Sequence, residues 1–181
     1  MTISKCYWSE KDGNGTITWS DADITPNGAI QAITAHNFWA MEIVQQKIPT
    51  PQSYYTSPLS RCLETARLTF TDLNLPSRYP FIPEVKELFR EAIGVHTCDR
   101  RRSKSFIHEN YPTYTFEAGF AEEDPLWNPI TRETDSAEDA RSKAVLDDVF
   151  SHDPNTYISV TSHSGTITSI LRGELSNRIR E

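Results

Sequence analysis

The run Tyr157-Ile158-Ser159-Val160-Thr161, followed at once by Ser162-His163-Ser164-Gly165, constrains the fold more than any other stretch of this chain. Its β-branched and aromatic content predicts a buried strand. The small residues after it predict a turn into a helix lined by Ile167, Ile170, Leu171 and Leu175. A buried strand that feeds a helix belongs to a parallel sheet covered by helices, an α/β architecture. Such sheets gather ligands at the carboxyl ends of their strands, where helix N-termini hold anions. His163 stands at that point, with Ser162 beside it. The structural alternative is a buried histidine satisfied by the backbone, and the small neighbours argue against it by leaving N–H groups open to an anion.

A second segment repeats the design. Ser53-Tyr54-Tyr55-Thr56 predicts a short strand, and Ser57-Pro58 a helix start with proline one step in. Leu59, Cys62, Leu63, Ala66 and Phe70 then form one helical stripe. Arg61 lies in the first turn, and its planar fork suits two phosphate oxygens at once. A surface ion pair with Glu64 or Glu91 is the plainer role for it.

Elsewhere the pattern is coarser. Thr25-Pro26 predicts the start of a helix that runs to about Gln46, with Ala29, Ala32, Ile33, His36, Ala40 and Ile43 at helical spacing. Phe81–Val85 predicts an edge strand, because Pro83 excludes a central one. From Lys86 to about Trp127 no period persists, and residues 86–130 are expected to form a lid over one face. Ser136 is expected to cap a helix through about Phe150, and Ser176–Glu181 to fray. The 181 residues are expected to form one domain.

Composition narrows the partners. A formal net charge of −7 argues against nucleic acid or an anionic membrane, so an anionic ligand needs a local basic pocket. Arg100-Arg101-Arg102-Ser103-Lys104 is the one dense basic run. Three cysteines, Cys6, Cys62 and Cys98, fit free thiols in a reducing compartment. No signal-peptide pattern and no membrane-length apolar stretch is visible, so a cytoplasmic protein is expected. Glu10–Asp21 mimics an EF-hand loop through Asp12, Asn14 and Gly15, but Glu10 and Asp21 replace its first and last ligands, and a turn is the better reading. His96-Thr97-Cys98 lacks the partner pair of a zinc site. Ser162 and Ser164 lack the Gly-x-Ser-x-Gly elbow of a serine nucleophile.

Four pieces in chain order resemble the histidine phosphatase superfamily, the phosphoglycerate-mutase-like proteins. They are Ile24-Thr25-Pro26-Asn27-Gly28 with Gln31-Ala32, Ser57-Pro58-Leu59-Ser60-Arg61-Cys62, Leu88-Phe89-Arg90-Glu91 with Gly94, and Ser162-His163-Ser164-Gly165. Cys6–Ser9 and Gly94–Arg101 are similar to a fungal-type branch. The resemblance implies a three-layer α/β/α sandwich and phosphomonoester hydrolysis or phosphoryl transfer through a phosphohistidine, with no metal and no cofactor. It makes His163 the second histidine, Arg61 a phosphate ligand with Ser162 beside the phosphate, and Glu91 the proton donor. Arg101 or Arg102 would contact a small phosphorylated substrate.

The family's Arg-His-Gly strand has no counterpart in these residues. The chain is therefore expected to be shortened at both ends, lacking the first, central strand and a C-terminal one. Strands 53–56 and 157–161 would then expose unpaired backbone. Marginal stability, a homodimer through the open sheet edge or a rearranged sheet would follow. The rival functional class is an inactive relic that binds a phosphorylated ligand or a protein partner.

Overall fold

The two tyrosines of Ser53-Tyr54-Tyr55-Thr56 face opposite ways, as strand alternation requires, and they organise the molecule into layers. The computed structural model describes residues 7 and 9–178. Strands β1 (Ser53–Thr56), β2 (Glu84–Val85), β3 (Thr115–Phe116) and β4 (Ile158–Thr161) lie parallel in the order β3-β2-β1-β4. The helices are α1 (Pro26–Gln45), α2 (Ser60–Phe70), α3 (Lys104–Asn110), α4 (Asp135–His152) and α5 (Ser164–Arg178). Short 3-10 turns span Glu87–Phe89 and Thr97–Asp99.

Tyr54 packs edge-on against Phe70 of α2, with ring centroids 5.2 Å apart. Tyr55 turns to the other face, among Phe89, Val145, Val149, Ile158, Val160 and Ile170. Helices α1 and α2 pack on each other, as do α4 and α5. The sheet lies between the two pairs, which is the expected three-layer α/β fold. Leu59, Cys62, Leu63, Ala66 and Phe70 are all buried, so the stripe expected for α2 is its core face.

Several local expectations need correction. The helix at residue 60 is not capped by Ser57. Its first N–H and hydroxyl, from Ser60, donate to the carboxylate of Asp21 at 2.8 and 2.7 Å. A carboxylate there suits the positive end of the helix dipole. Helix α4 is capped by Thr134 rather than Ser136, through Thr134 Oγ1 and the N–H of Ala137. Strand β2 is only Glu84–Val85 and is interior, between β1 and β3; Pro83 lies just outside it. Ile33 is 46% exposed, off the packed side of α1. Residues 86–130, expected as a lid, supply strand β3 and the buried Phe89, Ile107, Tyr114 and Phe120. The turn expected at residues 12–15 lies at residues 14–17, where Asn14 Oδ1 accepts from the N–H groups of Thr16 and Ile17. Cys6, the side chain of Leu175 and residues 179–181 lie outside the described residues.

The sheet corrects the expected exposure of β1. Strands β1 and β4 lie side by side in register, Ser53 against Ile158 through Thr56 against Thr161. Strand β1 therefore has a partner on both sides. Among the described residues, β4 has a strand on one side alone. Gln52 N donates to Tyr157 O and Ser57 N to Thr161 O, so the backbone of Ile158 and Val160 turns the other way.

Candidate active site

The pairing of β1 with β4 brings their carboxyl ends together, and the site grows from that. Ser57 is the first residue past β1; Ser162 and His163 are the first past β4. Ser57 Oγ lies 2.8 Å from His163 Nε2. Arg61, one turn into α2, reaches back and donates from Nε to His163 Nδ1 at 3.2 Å. Cys62 Sγ lies 3.4 Å from Nε2. An arginine donor on Nδ1 leaves the imidazole proton on Nε2.

His163 is 7% exposed. Burial first, and then the charges of Arg61, Arg90 and Arg141, hold its pKa well below the ordinary histidine value. It is therefore neutral at pH 7. Cys62 is pushed up to about 12 by burial and is a thiol there.

The Arg61 guanidinium is anchored on its far side. Nη1 donates to Cys98 O and Nη2 to Asp99 Oδ1, both at 2.8 Å. Among the described residues this leaves one N–H on each terminal nitrogen without a protein acceptor. Arg61, Ser162 and His163 line a cavity of about 510 Å³ whose other walls come from α1 and α2. That volume falls in the range of small-molecule sites.

Across the chain, a model of the histidine phosphatase superfamily (branch 1) matches residues 8–179. The chain belongs to that superfamily. A probable phosphoglycerate mutase of Arthroderma benhamiae is 57% identical over 165 residues, covering 91% of this chain and 49% of that protein. Phosphomutase-like protein 3 of Candida albicans is 36% identical over 173 residues, covering 92% and 50%. The chain thus spans about half the length of these superfamily relatives. A mycobacterial glucosyl-3-phosphoglycerate phosphatase solved with inorganic phosphate shares the fold, with a TM-score of 0.52 at 18% identity over 86% of this chain and 70% of that one.

The remaining residues that the superfamily resemblance singled out are distributed unevenly. Ser162 Oγ donates to Phe89 O at 2.7 Å, which ties the end of β4 to the turn after β2. Glu91 accepts from Ala92 N at 3.0 Å and from Gly165 N at 3.3 Å. The N-terminus of α5, expected to be open to an anion, thus already faces a carboxylate. Gly165 leaves room for this contact: a Cβ there would stand 2.0 Å from Glu91 Oε1 and 3.2 Å from Glu138 Oε1 and would push the ends of these side chains aside. Burial first, then the neighbouring Glu91, pushes the Glu138 carboxyl up.

Arg101 and Arg102 do not line the cavity. Arg101 is 4% exposed; it pairs with Glu87 and donates to the carbonyls of Ala121, Glu122 and Glu123. The Arg102 guanidinium lies 5.1 Å over the Phe106 ring.

Sequence reasoning missed Ser57 as a site residue by reading it as a helix cap. Its position past a strand end, the same as that of His163, was the available signal. It also missed Asp99 and Arg132, whose side chains meet at 2.9 Å. No local pattern marks them: Asp99 lies in the long segment without a period and Arg132 just beyond it.

Proposed function

We propose that this superfamily member binds a phosphomonoester at the carboxyl ends of β1 and β4 and acts on it without a metal. The observation that carries this reading is that Arg61 and His163, joined by a hydrogen bond, both line the cavity described above, with Ser57 Oγ held against His163 Nε2. Neutral His163 would turn its Nε2–H from Ser57 Oγ to a phosphoryl oxygen, and Arg61 offers its two remaining N–H groups and a fixed charge. Donors aimed at developing charge in a site shielded from water are the main source of phosphoryl-transfer catalysis. Water is the nucleophile proposed: it attacks phosphorus and loses a proton to solvent as the P–O bond to the alcohol breaks, while the protonated form of Glu91 gives its proton to the departing oxygen and is reprotonated from solvent. The phosphohistidine route implied by the resemblance uses a histidine from an Arg-His-Gly motif. These residues contain no such tripeptide, so the roles proposed for this chain are binding and proton transfer.

A second reading is binding without turnover, and the Arg61–Asp99 pair favours it, because the guanidinium charge is already partly neutralised. Hydrolysis of an aryl phosphate with and without EDTA, beside His163→Ala, separates the two. EDTA-resistant turnover lost in the variant supports the first. No turnover, with vanadate still raising the melting temperature in an Arg61-dependent way, supports the second. No turnover and no vanadate effect removes both.

On assembly, we propose that two copies meet along β4. The strand carries no lysine, proline or other device that blunts an open edge. Ile30, Ile33, Met41 and Val44 of α1 and Ile167 and Leu171 of α5 are each more than two-fifths exposed. Sedimentation velocity should show a concentration-dependent dimer that Met41→Lys with Leu171→Lys disperses. A monomer at all concentrations would exclude it.

A further inference from the structure

We propose that Asp99 is a positioning residue for His163: it fixes the Arg61 guanidinium so that Arg61 Nε selects the imidazole tautomer with its proton on Nε2. Use of that proton toward a phosphoryl oxygen rests on the function proposed above; the tautomer itself does not.

The chain of contacts is continuous. Asp99 Oδ1 accepts from Arg61 Nη2 at 2.8 Å, and Cys98 O accepts from Arg61 Nη1 at 2.8 Å. Two acceptors on the two terminal nitrogens fix both the plane and the rotation of a rigid fork. With the fork fixed, Nε–H points at His163 Nδ1. Arginine has no acceptor and stays charged in proteins, so Nδ1 can present only a lone pair. The proton is then confined to Nε2, which faces Ser57 Oγ at 2.8 Å. A doubly protonated ring would set N–H against N–H beside a guanidinium, and burial adds to that penalty.

The backbone is strained to deliver Asp99. Gly94 has φ +88° and Val95 φ +61°, the second a conformation a β-branched residue rarely adopts. A Cβ on Gly94 would lie 1.9 Å from Thr131 O, so this turn is pressed against the segment that carries Arg132. Hydrogen bonds from Val95 N to Asn128 O and from Thr97 N to Ser9 O hold it. The carboxylate delivered is 4% exposed. Every charged group that faces it is cationic or can become so: Arg61, Arg132 and, at 3.8 Å, His96. Arg132 takes Oδ2 and leaves Oδ1 to Arg61. The groups around His163 itself are Arg61, Cys62 and Ser57 in contact, with Arg90 and Arg141 beyond.

The test is a long-range ¹H–¹⁵N spectrum of the imidazole nitrogens, assigned by loss of the His163 signals in His163→Gln. In the native chain at pH 7, Nδ1 should have a pyridine-like shift and Nε2 a pyrrole-like one. Asp99→Asn should move both nitrogens toward the averaged position of a mixed tautomer. Arg132→Ala, which spares the Arg61 contact, should leave them in place. Should Asp99→Asn fail to fold, Arg61→Lys removes the Nε donor and should give the same averaging. A native spectrum with the proton on Nδ1, or unchanged shifts in a folded Asp99→Asn, overturns the inference. Vanadate binding measured on the same samples tests the phosphate reading separately: its absence with the expected tautomer leaves the positioning role standing.

Discussion

Two arginine-rich regions share one segment of the chain and differ in how much of their bonding capacity is spent. In the first, Arg90 and Arg101 lie buried within residues 86–130. Arg90 is fully buried and donates to Glu87, Asp124 and Asp99 O, and Arg101 binds Glu87 and a row of carbonyls. Hydrogen bonds and charge from Arg90 hold the Asp124 carboxyl below the ordinary range against the opposing pull of burial. In the second, the Arg61 side chain is 25% exposed and keeps two N–H groups for a ligand. The same residue type, with the same charge, is structural where all four N–H groups of its terminal nitrogens meet protein acceptors, as in Arg90, whose buried Nε alone has none, and functional where two of those four do not. Counting committed donors separates the two; counting arginines in the sequence does not.

The comparison can be broken most forcefully at the buried cluster. Arg90→Met leaves Asp124 buried without its ion pair and Glu87 with Arg101 alone, and urea unfolding should show a loss of about 3–5 kcal/mol. Arg61→Met should cost about 1–2 kcal/mol, the worth of a few part-buried hydrogen bonds, while abolishing the vanadate-induced rise in melting temperature. Equal losses at the two positions would erase the distinction. Gly94→Ala combines a steric clash with a forbidden φ and should cost about 2 kcal/mol or more in the same assay.

The pH dependence sharpens the comparison further. His163 has a depressed folded-state pKa, so the unfolded chain binds the extra proton. Its contribution to stability is complete above the unfolded value near 6.5 and declines as pH falls below it. Between pH 6.5 and 5 the stability attributable to His163 should fall by at most about 1.4 kcal/mol per pH unit, and His163→Gln should flatten that slope. Asp21, raised by burial, works in the opposite sense: its contribution is greatest while it is protonated and shrinks as pH rises. Last and smallest, Arg67→Ala removes an exposed helical pair with Glu64 and should change stability by no more than about 0.5 kcal/mol.

The layers of the fold were legible because they rest on periodicity. The stripe on α2, the strand before His163 and the Thr25-Pro26 start of α1 are all local patterns. The order of strands was not legible. Two-residue strands such as Thr115–Phe116 carry no period, and the pairing of β1 with β4 joins residues a hundred positions apart. At the site, His163 and Arg61 were legible because strand ends and helix starts mark them. Ser57, Asp99 and Arg132 were not, since their roles depend on contacts across the fold. Arg101 illustrates the converse: an arginine in a basic run looks available until the carbonyls around it are seen.

Gly165 has a consequence for how this chain can vary. Every codon one nucleotide from a glycine codon that still encodes an amino acid other than glycine adds a side chain, and the smallest would already collide with Glu91. The Glu91 carboxylate, the far end of a flexible side chain, would have to leave Gly165 N to admit it, whereas a shorter residue at 91 leaves glycine at 165 unhindered. Among natural variants of this sequence, a residue larger than glycine at 165 should therefore come with the carboxylate of Glu91 displaced from the start of α5, or with a shorter side chain at 91. Such variants would have exchanged the carboxylate at the start of α5 for bulk, and with it the group proposed here to protonate the leaving alcohol.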